Sequence, residues 1–536
     1  MGIRRTQFPH SSAQPHLDAV QDTAENLNVD LEDIEASYIR PLSLTLVRDQ
    51  LALPLWMKDG VLEVAIGGPQ SLLLVDEYAM MFGCPVKTIK MSEKELVPLI
   101  NQAFDKATQS ALDVMEEMAQ DGEIEMDGEI LVGEDLLDNP DAAPMVRFVN
   151  SLLSQAIKQK ASDIHIEPFE KDMSVRLRID GVLQEDVQPP KGWKEQLVSR
   201  IKIMSNLDIA KKNIPQDGRI RTRMAGREID IRVSTLPVRH GERVVMRILE
   251  KKAEFSLDGV GMSPDTLAEF REFIGRPYGI ILVCGPTGSG KTTTLYSALS
   301  EINAPDLNIL TIEDPIEYEL RGIGQTQVNH KIGLSFARVI RAHLRQDPDV
   351  ILVGETRDKE TAENAIQASL TGHLVFSTIH TNDAPTAFTR LVDMGIEPFL
   401  VATSLVAVLA QRLVRRLCPH CKEEYHPTVE ELAKAGREEL LMLGVTPETF
   451  RGTLYRPKGC PECGNKGFSG RMGIYEFMEV SENIRSAVTA GKDAAIIKKI
   501  CVENGMRTLR GDGLKKVLEG QTSLDEIYRV TAEGME

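Results

Sequence analysis

The sequence predicts an α/β chain that holds more than one hydrophobic core. Its 536 residues exceed what a single core accommodates, so three or four domains are expected. Short apolar runs alternate with stretches of helical periodicity along most of the chain, as in α/β domains. One apolar run, 279–284, leads into a glycine-rich turn and then a helical segment, an arrangement typical of a phosphate-binding edge of a sheet.

Composition excludes some classes of function. The formal net charge is −18, from 62 basic and 80 acidic residues. A protein that coats nucleic acid needs a basic surface, so no nucleic-acid partner is expected. The longest apolar stretch, 399–410, is too short to cross a bilayer. The first ten residues have arginines but no apolar run after them, so they do not predict a secretory signal.

The chain opens with a polar, acidic tail, 1–35, that its composition predicts to be disordered. A small α/β domain follows over 38–108. Its predicted elements are a hairpin around Asp59-Gly60, a third strand and two helices, at 51–57, 61–66, 85–89, 71–82 and 93–104. Because it carries no residues of evident chemistry, we interpret it as a partner-docking domain.

Residues 109–141 are crowded with acids, and a like-charged segment of this kind predicts a linker. A second α/β domain is predicted over 142–250. Its first elements are a helix and two half-buried strands, at 144–160, 162–167 and 173–179.

Arginines are concentrated in the second half of this domain. Two alternating strands around Ala225-Gly226 carry Arg219, Arg221 and Arg223 on one side and Glu228, Asp230 and Arg232 on the other. One interpretation is a solvated face with weak cross-strand ion pairs, and the pattern alone favours it. The other is that some of these arginines reach a phosphate.

The glycine-rich turn matches the P-loop pattern GxxxxGK[ST]. Its glycines let backbone N–H groups and the start of the next helix face phosphates. Lys291 adds a positive charge, and Thr292 offers a hydroxyl to Mg²⁺. The alternative is a chance loop, which the preceding strand and following helix disfavour. The predicted nucleotide-binding residues are Gly285, Pro286, Thr287, Gly288, Ser289, Gly290, Lys291, Thr292 and Thr293.

Two later strands each lead to a carboxylate. The run 308–312 precedes Glu313, and the run 350–353 precedes Gly354 and Glu355. Ligands in open α/β sheets lie beyond the carboxyl ends of the strands, so both acids are candidates for orienting water or holding Mg²⁺. The alternative for either is a helix cap or an ion pair. An aspartate is usual where this chain has Gly354.

A fourth apolar run, 374–379, is bracketed by His373 and His380. A histidine beside a core strand is more often structural than catalytic. His380 would follow the carboxyl end of the strand, where it could sense the terminal phosphate of a nucleotide.

Four of the seven cysteines form two CxxC pairs. Four thiolates are typical of a closed, tetrahedral structural zinc site, and a predicted helix at 429–443 would fill the interval between the pairs. The alternative is a redox pair or two idle motifs. The predicted zinc ligands are Cys418, Cys421, Cys460 and Cys463.

Taken together, these motifs resemble the secretion ATPases of the type II secretion and type IV pilus superfamily, and within it the assembly ATPases of type II secretion systems. The resemblance covers 140–536 strongly and 38–108 loosely. Besides the P-loop, the matching stretches are 161–168, 216–219, 232–237, 241–243, 311–317, 354–358 and 372–382.

The resemblance implies a RecA-like P-loop ATPase domain over 251–536, preceded by a PAS-like domain at 142–250. The ATPase domain would include a zinc module at 415–475 and C-terminal helices at 480–536. ATP, Mg²⁺ and Zn²⁺ are the implied ligands. Glu355, Glu313, His380, Arg219 and Arg232 are the implied catalytic residues, with both arginines contacting phosphates.

The resemblance also implies a homo-hexamer that drives pseudopilus assembly for protein secretion across the outer membrane. Such a motor would be cytoplasmic and peripheral on the inner membrane, held there by the cytoplasmic domain of a platform protein. A pilus-extension ATPase is the close alternative, and a nucleotide-gated scaffold without turnover is a different class. The acidic composition disfavours a DNA-pumping ATPase.

Overall fold

The computed structural model describes residues 29, 31–107, 115, 144–224, 227–250 and 255–532. Most of the predicted tail, the predicted linker except residue 115, and the Ala225-Gly226 turn lie outside them. The chain divides into two compact units, 1–251 and 252–536.

The first unit begins with a three-stranded sheet. Strand β2 pairs antiparallel with β1 and parallel with β3. Asp59 and Gly60 both have positive φ (51° and 79°), as a tight hairpin turn requires. The elements are α1 (Ala36–Ile39), α2 (Leu44–Gln50), β1 (Ala52–Lys58), β2 (Val61–Ile66), α3 (Ser71–Phe82), β3 (Val86–Lys90) and α4 (Glu93–Ala107).

Residues 31–35 of the predicted tail are already structured and belong to this region. Leu31–Asp33 form a 3₁₀ turn, Ile34 is buried in the core, and the Glu35 N–H donates to the Leu55 carbonyl at 2.9 Å. A few apolar residues in an acidic stretch, Ile34 together with Val29 and Leu31, are enough to attach it to the domain, and composition averaged over 35 residues hides them.

The rest of the first unit has a six-stranded antiparallel sheet, in the order β6-β5-β4-β9-β8-β7. The apolar stripe of the first helix, which includes Phe148, Leu152 and Ala156, is fully buried in the core of this region. The elements are α5 (Pro144–Lys158), β4 (Ala161–Pro168), β5 (Met173–Ile179), β6 (Val182–Val187), α6 (Lys194–Met204), β7 (Gln216–Met224), β8 (Arg227–Val238) and β9 (Gly241–Glu250).

The second unit has a seven-stranded sheet, in the order β12-β11-β13-β14-β10-β15-β18, parallel except for its last pair. Ile280 and Leu282 pack into one core and Ile281 and Val283 into another, so the strand 279–284 is covered on both faces. Its strands are β10 (Gly279–Cys284), β11 (Ile309–Glu313), β12 (Gly324–Gln327), β13 (Val350–Val353), β14 (Leu374–Ile379), β15 (Leu405–Leu417) and β18 (Phe468–Glu479).

The helices around this sheet are α7 (Pro264–Ile274), α8 (Lys291–Ile302), α9 (Phe336–His343), α10 (Lys359–Leu370), α11 (Thr386–Asp393) and α12 (Pro398–Ser404). The apolar stretch 399–410 is therefore divided between a helix and a strand. Of the described residues, no helix is both long enough and apolar enough to span a bilayer.

The cysteine region interrupts the sheet between β15 and β18. It holds a two-stranded sheet, β16 (Glu423–Tyr425) and β17 (Leu454–Arg456), and the helix α13 (Val429–Met442). That helix begins with a capping box between Thr428 and Glu431. Four helices end the unit: α14 (Glu482–Thr489), α15 (Ala494–Glu503), α16 (Leu509–Leu518) and α17 (Leu524–Thr531).

Candidate active site

The predicted P-loop joins β10 to α8 at the carboxyl edge of the parallel sheet. Gly285, Gly288 and Gly290 have φ of 147°, 77° and 88°, which L side chains rarely adopt. A Cβ at Gly285 would also lie 2.4 Å from the Gln411 carbonyl oxygen. The loop therefore needs glycine both for its conformation and for its close approach to β15.

Lys291 is the first residue of α8 and folds back over the loop. Its Nζ donates to the carbonyls of Gly285 (2.7 Å) and Pro286 (3.1 Å). Burial lowers the pKa of Lys291, and the Glu355 carboxylate opposes that effect. The ammonium group is thus held by two neutral carbonyls. A phosphate, which is charged, is a stronger partner and can take their place.

The loop also fits a phosphate and its metal ion in other respects. Among the described residues, the buried Ser289 hydroxyl has no hydrogen-bond partner, and Thr292 is exposed in the first turn of α8. An unsatisfied hydroxyl, a helix N-terminus and a lysine form the donor set that a nucleotide phosphate requires. Thr292 is the residue that would hold Mg²⁺.

Sequence reasoning missed Gln411 on β15. Its side-chain Nε2 donates to the Ser289 carbonyl at 2.7 Å, and a Cβ at Gly290 would lie 2.9 Å from the same nitrogen. Gln411 therefore braces the P-loop from the neighbouring strand. It lies more than a hundred residues from the loop, and no local motif marks it.

Glu355 lies just beyond β13 and has two charged or polar neighbours. His380 Nε2 is 3.0 Å from its Oε1, and Arg357 Nη2 is 2.6 Å from its Oε2. Burial raises the pKa of Glu355, but Arg357, His380 and Lys291 outweigh burial and lower it overall. The structure therefore brings the predicted Glu355 and His380 together, and adds Arg357, which the sequence did not single out.

Glu313 ends β11 on the same edge, but its carboxylate is buried and already bonded. It accepts from Thr311 Oγ1 (2.6 Å), Gln325 Nε2 (3.1 Å) and the Tyr296 hydroxyl. Its catalytic role stays a prediction.

Gly354 allows the carboxyl end of β13 to lie close to the end of β11. A Cβ there would lie 3.0 Å from the Ile312 carbonyl oxygen and 3.3 Å from the Glu313 Cα. An aspartate would be crowded at this position, which accounts for the glycine.

The two bracketing histidines differ in environment. His373 Nδ1 lies 2.8 Å from the Ala368 carbonyl and 3.1 Å from Thr371 Oγ1, at the end of α10. It therefore closes a helix at the amino edge of the sheet. His380 lies at the opposite edge and contacts the acid.

In the first unit, the register of the sheet aligns three arginines. Arg219 on β7 faces Arg232 on β8, which faces Arg247 on β9. All three line a cavity of about 530 Å³. Cross-strand pairs also occur, since Arg219 Nη1 is 3.8 Å from Asp230 and Arg223 Nη2 is 3.7 Å from Glu228.

Both interpretations of these strands therefore have support. The ion pairs are long and half-exposed, so they add little stability. The cavity gives clustered guanidinium groups an open space that an anion could enter.

The four predicted zinc ligands form one cluster, with all Sγ atoms within 4.8 Å of one another. The Cys418–Cys460, Cys421–Cys463 and Cys460–Cys463 Sγ distances are 3.9, 3.8 and 3.7 Å. Tetrahedral zinc with bonds of about 2.3 Å places its sulfurs about 3.8 Å apart. The cluster therefore fits zinc.

Hydrogen bonds to sulfur favour the thiolate form of one cysteine of this cluster, Cys463. Burial raises the pKa of the Cys463 thiol, but N–H donors from Cys460 (3.3 Å) and Gly467 (3.2 Å) outweigh burial and lower it to about 6. The thiolate is the form that ligates a metal.

Comparisons with known proteins give a consistent result. The sequence model of the family described as Type II/IV secretion system protein matches residues 138–529. The chain is 46% identical to Type II secretion system protein E of Aeromonas hydrophila, covering 94% of this chain and 97% of that protein. It is 49% identical to Type II secretion system ATPase E of Vibrio cholerae, covering 83% and 87%.

Solved structures bear on the fold alone. The Legionella pneumophila ATPase DotB superposes with a TM-score of 0.52 at 21% identity, covering 72% of this chain and 96% of DotB. The predicted fold class, α/β with a RecA-like P-loop ATPase domain, is confirmed.

Proposed function

Because the chain belongs to the type II/IV secretion system protein family and is an ATPase, we propose that it is the hexameric Mg-ATP-hydrolysing motor of a type II secretion system. In this role, hydrolysis powers pseudopilus assembly for protein secretion across the outer membrane. The observation that carries the proposal is the contact of His380 Nε2 with Glu355 Oε1 at 3.0 Å, on the sheet edge that also bears the P-loop.

Binding of ATP falls to the P-loop. The backbone N–H groups within 285–293, which exclude Pro286, and the Lys291 ammonium group hold the β- and γ-phosphates, and Thr292 would hold the metal. A magnesium ion held at Thr292 would neutralise part of the charge on the phosphates. Gln411 supports the conformation of the loop by donating a hydrogen bond to the Ser289 carbonyl from β15.

Glu355 is the residue that orients the attacking water. Its lowered pKa keeps it ionised at neutral pH, so it accepts a hydrogen bond from water and directs the oxygen lone pair. His380 fixes one carboxylate oxygen and Arg357 the other, which leaves little freedom to the group. Glu313 accepts hydrogen bonds from three protein donors, and its proposed role is that of a second carboxylate that assists Glu355.

Arg219 and Arg232 are proposed to contact the phosphates from the first unit. Their support is the cavity of about 530 Å³ that they share with Arg247. Guanidinium groups stabilise charge on a transferring phosphoryl group better than ammonium groups because they bind two oxygens at once.

The cysteine cluster holds zinc for a structural purpose. Four sulfur ligands close the coordination sphere and leave no position for a substrate.

The N-terminal region, 38–108, is proposed to dock on the cytoplasmic domain of an inner-membrane platform protein. Helix α3 leaves Leu72, Leu73, Met80 and Met81 at least half exposed, at 50, 73, 78 and 56%. Exposed apolar residues on one helix are typical of an interaction surface. The chain would thereby be held at the membrane by protein partners.

Two variants of the full-length chain test the site. Lys291→Ala removes the phosphate-binding charge, so we expect weaker ATP binding and turnover reduced at least a hundredfold. Glu355→Gln removes only the acid, so we expect ATP binding within threefold of the parent and turnover reduced at least a hundredfold. Lys434→Ala, at an exposed position on α13, is the matched control for loss of a lysine.

The measurements are phosphate release, binding of a fluorescent ATP analogue, and complementation of secretion in a strain that lacks the ATPase. Parental turnover in Lys291→Ala would disprove the site. Full secretion by Glu355→Gln would point to a nucleotide-gated scaffold instead of a motor.

A further inference from the structure

Three consecutive residues after His380 are each bonded to a side chain from the C-terminal third of the chain. His380 itself follows the last residue of β14, and Asn382, Asp383 and Ala384 lead to α11. The conformation of this short loop therefore sets where the His380 ring stands relative to Glu355.

We call the three side chains that hold this loop clamps; they are Arg412, Lys498 and Glu476. The first clamp is Arg412 on β15. Its Nη2 donates to Asn382 Oδ1 at 3.3 Å, and its Nη1 donates to the Val530 carbonyl at 2.6 Å. One guanidinium group thus joins the loop to helix α17.

The second clamp is Lys498 on α15, whose Nζ lies 3.4 Å from Asp383 Oδ2. The other carboxylate oxygen of Asp383 accepts from the Thr386 N–H at 3.0 Å and so begins α11.

The third clamp is Glu476 on β18, which is 1% exposed. Its Oε1 accepts from the Ala384 N–H at 2.8 Å, and its Oε2 accepts from the Leu509 N–H at 3.2 Å, in the first turn of α16. One carboxylate thereby joins the loop to a third C-terminal helix.

From these contacts we propose that Glu476, Arg412 and Lys498 are positioning residues for His380, through which the C-terminal helices control ATP turnover. The inference rests on the proposed role of His380. Misplacement of a catalytic group by about 1 Å can reduce a rate a hundredfold, so a loop held at three successive residues is an effective point of control. Motion of α15, α16 or α17 would reach His380 through one clamp each.

Burying Glu476 also has a free-energy cost that side-chain packing alone does not offset. Burial, with Asp383 nearby, raises its pKa to about 7. A buried carboxylate with two backbone partners is costly compared with an apolar residue of similar size, so its presence needs a role beyond filling space.

A double-mutant cycle on the full-length chain tests the proposal. In Glu476→Gln, an NH₂ group replaces one carboxylate oxygen and faces a backbone N–H. Two donors cannot bond each other, so one of the two hydrogen bonds is lost. We expect kcat to fall about tenfold with KM for ATP within twofold of the parent. In a His380→Ala background, the same substitution is expected to change kcat less than twofold, because its effect passes through the imidazole.

Glu63→Gln is the matched control, since Glu63 is a buried glutamate of the N-terminal region that accepts from Trp56 and Lys87 instead of the loop or the C-terminal helices. It should leave kcat within twofold of the parent. Lys498→Met, at a partly exposed position, gives a second cycle if Glu476→Gln does not fold.

The outcomes separate two failures. An equal loss of kcat in both backgrounds would show a general structural effect and overturn the positioning role alone. An unchanged kcat in His380→Ala itself would overturn the proposed role of His380 and, with it, this inference.

Discussion

Among single residues, Glu526 is the clearest case of a buried charge whose partners decide its protonation. Its carboxylate accepts from Arg415 Nη2 at 2.8 Å and from Arg529 Nη2 at 2.6 Å, and the residue is 1% exposed. Burial raises its pKa, but the two arginines outweigh burial and lower it to about 2.

The lowered pKa of Glu526 predicts a pH-dependent stability. Because the folded pKa lies below the unfolded value, the ionised carboxylate stabilises the fold above about pH 4.5, and that stability is lost as pH falls towards 2. Glu526→Gln should lower the free energy of unfolding by about 3 kcal/mol at pH 7, because two arginines lose their partner.

Thermal unfolding at pH 7, 5 and 3.5 measures this effect. The difference between parent and variant should be the same at pH 7 and 5, and should narrow by about 1 kcal/mol at pH 3.5. A difference that stays constant down to pH 3.5 contradicts the assignment of the pKa shift to Glu526.

Residues with a local motif could be predicted from the sequence, whereas residues positioned by sheet pairing could not. Lys291 lies in a spaced glycine pattern, and Glu355 comes two residues after the end of an apolar run. Each can therefore be recognised from residues next to it in the sequence. Gln411 and Glu476 reach the site only because β15 and β18 pair beside β10. Their partners, Ser289 and Ala384, are 122 and 92 residues away.

At the scale of elements, β15 connects the P-loop to the cysteine cluster. Gln411 is its middle residue, and its last residue, Leu417, precedes the proposed zinc ligand Cys418. The Cys418 N–H donates to the Gly467 carbonyl at 3.0 Å, which ties the strand end to the second cysteine pair. The apolar start of β15 gives no periodicity that separates strand from helix, so the sequence did not predict it.

Metal removal should therefore destabilise the end of this strand. A structural zinc site contributes its binding energy to folding, so we expect chelation, or Cys460→Ser, to lower Tm by about 5–10 °C. Hydrogen exchange should increase at 415–425 and 454–468, where the ligands and their strands lie. Cys84→Ser, outside the cluster, is the control and should keep both its metal and its Tm.

The measurements are zinc content, calorimetry and hydrogen exchange on the same preparation. A parent chain that holds no zinc after purification in zinc-containing buffer would contradict the site, and so would an unchanged Tm after the metal is removed.

At the scale of the whole molecule, the candidate arginines and the P-loop belong to different compact units, 1–251 and 252–536. The proposed function requires guanidinium groups of the first unit to reach phosphates bound by the second. The glycine pattern alone predicts the P-loop, whereas strand alternation alone favours ion pairs for the arginines, and only the family resemblance implies that Arg219 and Arg232 contact phosphates. No local pattern describes contacts made between units or between copies of the chain.

Arg232→Ala tests this requirement. A guanidinium group acts mainly on charge that develops in the transition state, so kcat should fall a hundredfold or more while ATP binding stays within about threefold of the parent. Arg223→Ala is the matched control, since Arg223 lies in the same hairpin and pairs with Glu228, and it should keep parental turnover. Both variants should assemble like the parent in size-exclusion chromatography, because neither changes the P-loop.

Dependence on concentration separates a catalytic role from an assembly defect. If Arg232 acts on the phosphates, activity per chain in Arg232→Ala stays low at every chain concentration, whereas the activity of the parent rises as the proposed rings form. Recovery of the variant to parental turnover at high concentration would mean that Arg232 stabilises the ring instead, and the proposed contact with phosphate would be wrong.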